Sequence, residues 1–344
     1  MSNVPVRLAE IEFSDLFLCS DPSEPILALN LRLPGVGPAT GKRQRAPATL
    51  PEDLAPDVAR LLRAVEDRWA QERFAPEFTV NHDGVDYRCS LIVAPPASDR
   101  SDGSGPDEGE ARHWCLRRLE RRSMALSDLG LPRWAATELR RIGAASGLLL
   151  IAGSFGSGKS TTAAACFLDW IRSHGGIGVT LEDPPERMLG GAQEGGRIYQ
   201  VPIRGEGFAP AIKASRRWAY RYLYLGEVRD SRAASELLQI SLAGPTVITT
   251  IHASSTVDAL MALSKFAAQI DGTQTANDQI AASIMGVLWQ QLHQGRLKTE
   301  YLSFRGRNGE AMRTKIAEAK FRLLREDQDY EAKLRELGRI EDSF

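Results

Sequence analysis

Four cysteines in 344 residues, Cys19, Cys89, Cys115 and Cys166, stand far apart with no C-x-x-C pair. That spacing argues against a zinc ribbon and a disulfide framework, so all four are expected to be reduced and mostly structural. Net charge is also missing. With 43 Lys and Arg against 44 Asp and Glu the chain carries −1, so its overall balance gives no reason to expect nucleic acid or an acidic membrane surface. No apolar run is long enough to span a bilayer, and the N-terminus lacks a basic-then-apolar signal pattern. A cytoplasmic protein is expected, held at a membrane, if it works at one, by something else.

The remaining composition is that of a globular chain. A hydrophobic fraction of 43% over this length can bury a sizeable core, and the length suggests about two domains.

One stretch organises the rest. Gly153, Ser154, Phe155, Gly156, Ser157, Gly158, Lys159 and Ser160 fit G-x-x-x-x-G-K-[ST] at every fixed position. The apolar run Leu148–Ala152 precedes it, and Thr161 opens a small-residue, helix-compatible stretch. Strand, glycine loop and helix make a phosphate cradle, because successive N–H groups and the helix dipole converge on one anion. Lys159 is then expected to reach the β- and γ-phosphates of ATP, and the Ser160 hydroxyl to bind Mg²⁺.

Before this loop, residues 1–122 read as a small mixed domain. A strand is expected over Ile26–Leu33, a loop over Gly35–Arg45 and an amphipathic helix over Ala55–Glu72. Phe78–Val93 reads as two strands around the turn signal Asp83-Gly84, and His113–Leu119 as another strand. Between them Ala94–Glu110 is rich in Pro, Ser, Asp and Gly and reads as a loop. Residues 123–344 then alternate strand and helix, the pattern of a mostly parallel sheet, with strands at Leu148–Ala152, Ile177–Leu181, Tyr222–Leu225 and Val247–Ile251. Asp278–Leu297 reads as a helix, and Glu310 to Ile340 as two amphipathic helices capping the domain or docking on a membrane protein.

Functional groups in such a sheet collect at the carboxyl ends of the strands. Glu182 and Asp183 follow the second expected strand, Glu227 and Arg229 the third, His252 the fourth. Hydrolysis needs a metal clamp and an oriented water. Glu182 is read as the general base and Glu227 as the metal-side acid, with Asp183 and Ser160 as further oxygen ligands; the two glutamates remain interchangeable in these roles. His252 can donate a hydrogen bond to a γ-phosphate.

The stretches Gly153–Thr162, Thr180–Pro185, Leu225–Asp230 and Thr249–Ser255 together resemble the Walker A, Asp, Walker B and His boxes of the type II/IV secretion ATPase family, over roughly residues 78 to 305. The resemblance implies an α/β fold, a RecA-like P-loop ATPase core preceded by an α+β PAS-like domain. It also implies a homo-hexameric ring, cytoplasmic beneath the inner membrane, that drives a secretion, conjugation or pilus machine through platform proteins. Arg88 and Arg117 fall where the family's first domain offers arginines to a neighbour's active site. The missing tetracysteine module sets the chain apart from the members that drive pilus extension or type II secretion, and the stretch Glu300–Phe304 and the replacement of Asp-Pro-Asp by Arg217–Arg221 favour the type IVB secretion branch over pilus retraction. Ser154-Phe155 departs from the family's usual Pro-Thr, with Phe155 packing on a neighbour or covering the site. A nucleotide-binding scaffold with little turnover is the reading from another class; a kinase is a third, for which neither acceptor pocket nor lid is visible in the sequence.

Overall fold

Alternating apolar residues fix the faces of the first sheet. The computed structural model describes residues 7–21, 24–29, 31, 47–93, 112–119, 124–203, 207–293, 296–305 and 308–329. The chain packs as two units, Met1–Arg121 with Glu186–Met188, and Arg122–Pro185 with Leu189–Phe344.

The first unit contains β1 (Asp15–Cys19), β2 (Leu27–Leu29), β3 (Ala48–Thr49), α1 (Ala55–Gln71), β4 (Glu77–His82), β5 (Val85–Val93) and β6 (His113–Arg118). The strands form one antiparallel sheet in the order β3-β2-β1-β6-β5-β4. Asp83 and Gly84, both at positive φ, close the β4–β5 hairpin. Val58, Leu61, Val65 and Trp69 recur at helical spacing on α1 and join Leu16, Phe78, Tyr87, Trp114 and others in one core. Trp69 and Trp114 meet edge to face at 5.2 Å, and the Trp114 indole N–H donates to Glu66 at 3.0 Å, so the buried ring keeps its polar atom partnered. Of the expected Ile26–Leu33 strand, Leu27–Leu29 is observed. The expected loops Gly35–Arg45 and Ala94–Glu110 lie outside the described residues.

The second unit opens with α2 (Arg133–Ile142), β7 (Gly147–Gly153), α3 (Lys159–His174) and β8 (Gly176–Glu182). Then come β9 (Gly191–Gln193), β10 (Gly196–Pro202), α4 (Phe208–Ser215), β11 (Tyr222–Leu225), α5 (Ser231–Ser241) and β12 (Thr246–His252). Last are α6 (Thr256–Asp271), α7 (Thr273–Ser283), β13 (Ile284–His293), β14 (Arg296–Ser303) and α8 (Gly309–Ala317). The sheet order is β14-β13-β7-β12-β11-β8-β10-β9. From β13 to β10 every neighbouring pair is parallel, and only the two edges are antiparallel. The four strands expected from sequence are its centre. Successive residues serve opposite faces. Leu148, Leu150 and Val247 join one core with α4–α8, and Leu149, Ile151 and Ile248 another with α2 and α3.

One expectation fails here. The predicted helix over Asp278–Leu297 ends at Ser283, and β13 begins at Ile284. The spacing of Ile280, Ile284, Val287 and Leu288 suits a helix, but Ile284–Gln290 is buried without interruption. A run buried all round between β7 and β14 is a sheet-interior strand, which periodicity alone does not separate from a helix. In the C-terminal region α8 buries Met312 and Ile316 and residues 324–329 are helical; the remainder of the expected second helix lies outside the described residues.

Candidate active site

The glycine loop leaves the carboxyl end of β7 and enters α3 at Lys159. Two glycines are required by geometry. Gly153 has φ +153°, and a Cβ there would fall 2.3 Å from the Gln290 carbonyl oxygen. Gly158 has φ +85° at the mouth of the helix, a left-handed conformation that side chains disfavour. The loop thereby turns sharply and presents the first turn of α3, with Ser160 and Thr161 half-buried beside it. Phe155 stands 89% exposed in the loop.

Lys159 is buried, and its Nζ donates to Ser154 O at 2.9 Å and lies 3.3 Å from His252 Nδ1. The other His252 nitrogen, Nε2, lies 3.0 Å from Glu227 Oε1. Glu227 Oε2 in turn accepts from Arg229 Nε at 2.7 Å. These contacts assign a neutral imidazole with its proton on Nε2, since Nδ1 faces an ammonium that only donates. The start of α3, the end of β12 and the turn after β11 thus place Lys159, His252 and Glu227 in one chain of polar contacts.

Glu182 ends β8 and is 4% exposed. Its Oε1 accepts from Gln200 Nε2 at 2.9 Å, and a Cβ on Gly226 would lie 3.6 Å from it, which places it beside the segment bearing Glu227. Asp183 is exposed at the same strand end. Asp230, by contrast, caps α5 by accepting from the Ala233 N–H at 2.8 Å. Hydroxyl and carboxylate oxygens of Ser160, Glu227 and Asp183 are the donor type that Mg²⁺ takes.

Three contributors were not read from the sequence. Gln200 on β10 orients Glu182. Trp289 on β13 donates from Nε1 to Ala253 O at 3.1 Å, just beyond His252. Its neighbour Gln290 donates from Nε2 to Ser157 O at 2.7 Å inside the glycine loop. For Gln290 the available signal was the polar pair Gln290-Gln291 after an apolar run, hidden by the helix assignment.

Arg88 and Arg117 belong to the first unit, where they are register partners on β5 and β6. Each is tied to an acid of its own sheet, Arg88 to Glu77 at 3.1 Å and Arg117 to Asp15 at 2.8 Å. Burial works against the Arg117 charge, but the hydrogen bond and charge of Asp15 outweigh it and raise its pKa.

Residues 106–319 match the family model described as type II/IV secretion system protein. The Escherichia coli K12 protein YggR, described as uncharacterized, is 28% identical over 239 residues, 69% of either chain. The chain spans less than half the length of the type II secretion proteins it matches at 30–31% identity. Among solved structures, the pilus retraction motor PilT with bound ADP has a TM-score of 0.67 at 22% identity, covering 95% of this chain and 87% of that one. The Legionella pneumophila ATPase DotB has 0.66 at 19%, covering 91% and 84%. At such identities the likeness shows the fold. Among the described residues no helix is long and apolar enough to cross a membrane.

Proposed function

The chain belongs to the type II/IV secretion system protein family, and from that premise we propose that it is an ATP-hydrolysing motor of a secretion, conjugation or pilus machine. The observation that carries this reading is the chain Lys159–His252–Glu227, which links the phosphate loop to two strand ends. ATP displaces Ser154 O and His252 as partners of Lys159, whose charge then meets the β- and γ-phosphates. Magnesium bound with the phosphates supplies charge neutralisation, and the Ser160 hydroxyl, Glu227 and Asp183 are the oxygens that would hold it. Glu182, oriented by Gln200, takes the proton of the attacking water. His252, released from Lys159, hydrogen-bonds the γ-phosphate.

The working assembly is a homo-hexameric ring in which Arg88 and Arg117 leave their acids to stabilise charge in a neighbour's site. It is cytoplasmic and meets the inner membrane through platform proteins. Closure on ATP and release after hydrolysis convert differential affinity into motion. Within the family, type IVB secretion is the reading favoured by Glu300–Phe304, and the missing tetracysteine module is shared with pilus retraction, the second reading.

The test is ATP turnover per subunit across a dilution series, with Lys159→Ala as control and sizing of the same samples. Specific activity that rises with concentration, absent in Lys159→Ala, is expected for sites completed between subunits. Turnover that survives Lys159→Ala removes the site. Binding of ATP without turnover at any concentration turns the reading to a nucleotide-binding scaffold.

A further inference from the structure

Gln290 is a polar side chain in a place where the surrounding strand is apolar. It lies on β13 at 1% exposure, and Ser157, opposite it in the glycine loop, is equally buried at 1%. Its Nε2 donates to Ser157 O at 2.7 Å. The amide orientation is fixed by chemistry, because a carbonyl oxygen only accepts. The contact is close on the backbone side too, where only a glycine at 153 clears the Gln290 carbonyl oxygen. A Cβ on Gly158 would stand 3.2 Å from Nε2. Gln290 therefore occupies the underside of the loop between its first and last glycines.

We propose that Gln290 is a positioning residue for nucleotide binding, holding the Ser157 carbonyl down so that the phosphate-facing side of the loop presents N–H groups. In a planar trans peptide the C=O and the following N–H point in opposite directions. Anchoring Ser157 O beneath the loop turns the Gly158 N–H towards the concave side, where an anion binds. Without the anchor the same peptide is free to flip, and a flipped carbonyl repels phosphate. The inference rests on reading Gly153–Ser160 as an ATP site.

The experiment measures the Kd for MgATP on the full chain, with Lys159→Ala as the non-binding control, for Gln290→Met and Gln290→Glu between pH 5 and 8. Methionine keeps the length and burial of glutamine and lacks the donor. It is expected to weaken binding by about tenfold or more, since a buried carbonyl loses its partner. KM should rise with kcat within about threefold, because the chemical groups remain. Glutamate keeps the shape. Ionised, it faces Ser157 O with like charge; protonated, it donates to it. Its Kd relative to the parent at each pH is therefore expected to recover as pH falls, while that of Gln290→Met stays flat.

Equal Kd values for Gln290→Met and the parent overturn the assignment. So does Gln290→Glu whose deficit is the same at pH 5 and 8, which would make the position one of packing alone. Where Gln290→Met fails to fold, the pH series on Gln290→Glu decides. A parent that binds no MgATP fails the ATP-site reading itself, whereas a parent that binds beside an unaffected Gln290→Met fails only the role of Gln290.

Discussion

Lys159 Nζ lies 3.3 Å from His252 Nδ1, joining the glycine loop to the end of β12. The lysine also donates to Ser154 O within its own loop. A phosphate entering the cradle would compete for the same ammonium, and its occupancy would then be felt at His252 and, through Nε2, at Glu227. The relationship gives His252 two distinguishable roles. As a partner of the Lys159 ammonium it would oppose nucleotide binding; as a donor to the γ-phosphate it would serve the chemical step.

His252→Gln separates the two. Turnover is expected to fall by about 10²-fold, with KM for ATP within about threefold of the parent. Steady-state kinetics with a direct ADP Kd provides the check. An unchanged kcat with tighter ADP binding would leave His252 only its role as partner of Lys159.

The two glutamates differ in surroundings, and that difference predicts different losses. Glu182 is buried and takes one amide hydrogen bond from Gln200. Glu227 has one oxygen on His252 and the other on Arg229. Glu182→Gln is expected to reduce single-turnover hydrolysis by about 10²- to 10⁴-fold with the Mg²⁺ requirement unchanged. Glu227→Gln is expected to raise the Mg²⁺ concentration for half-maximal turnover. The reverse pattern would exchange the assignments.

Much of this site was readable before the fold was known, for a definite reason. Four buried parallel strands are short apolar runs; one leads into the glycine loop, and the other three end in or are closely followed by a residue that no core accommodates unpaired, so Glu182, Glu227 and His252 stand out by chemistry. Gln290 did not, because its strand is buried on both faces and mimics a helix in spacing. Nor did the pairing of Arg88 with Glu77 or Arg117 with Asp15, which depends on antiparallel register across four strands. The alternation within β5 and β6 shows only which face an arginine takes. Asp15–Cys19, the strand that completes the sheet beside β6, carries too short an alternation to be read alone.

The cysteines give each unit an internal reporter. Cys89 in the first unit and Cys166 on α3 are buried, and burial pushes both thiols far above the ordinary thiol range. Cys19 and Cys115 are partly exposed. Under native conditions at pH 8, a maleimide is expected to modify at most Cys19 and Cys115, with Cys89 and Cys166 reacting only in denaturant. Mass spectrometry of the labelled peptides checks this. Fast native labelling of Cys166 would mean that α3 opens locally, which is incompatible with a rigid phosphate loop at its start.

The turn that follows His252 carries the last prediction. Ser255 caps α6 by accepting from the Asp258 N–H at 3.0 Å, and the Asp258 carboxylate accepts from the Ser254 hydroxyl. Hydrogen bonds from Ser254 and then Ser255 hold the Asp258 pKa below its ordinary value. A carboxyl with a folded pKa below its unfolded one stabilises the fold above the unfolded value and loses that contribution as pH falls through the folded one. Asp258→Asn is therefore expected to lower stability at pH 7, by at most about 1 kcal/mol because solvent screens this partly exposed carboxylate. The gap in Tm to the parent should begin to narrow once the pH drops below about 4, the ordinary aspartate range, and go on narrowing through the lower folded value. Thermal melts of both proteins from pH 7 to pH 3 check the sign. A gap that stays constant into acid would assign the loss to side-chain shape rather than charge, and a gap that widens would require the carboxyl to be stabilised in its protonated form. Ala253, Ser254 and Ser255 alone join β12 to α6, so the Ser254 and Ser255 contacts to Asp258 lie in the short connection that follows His252.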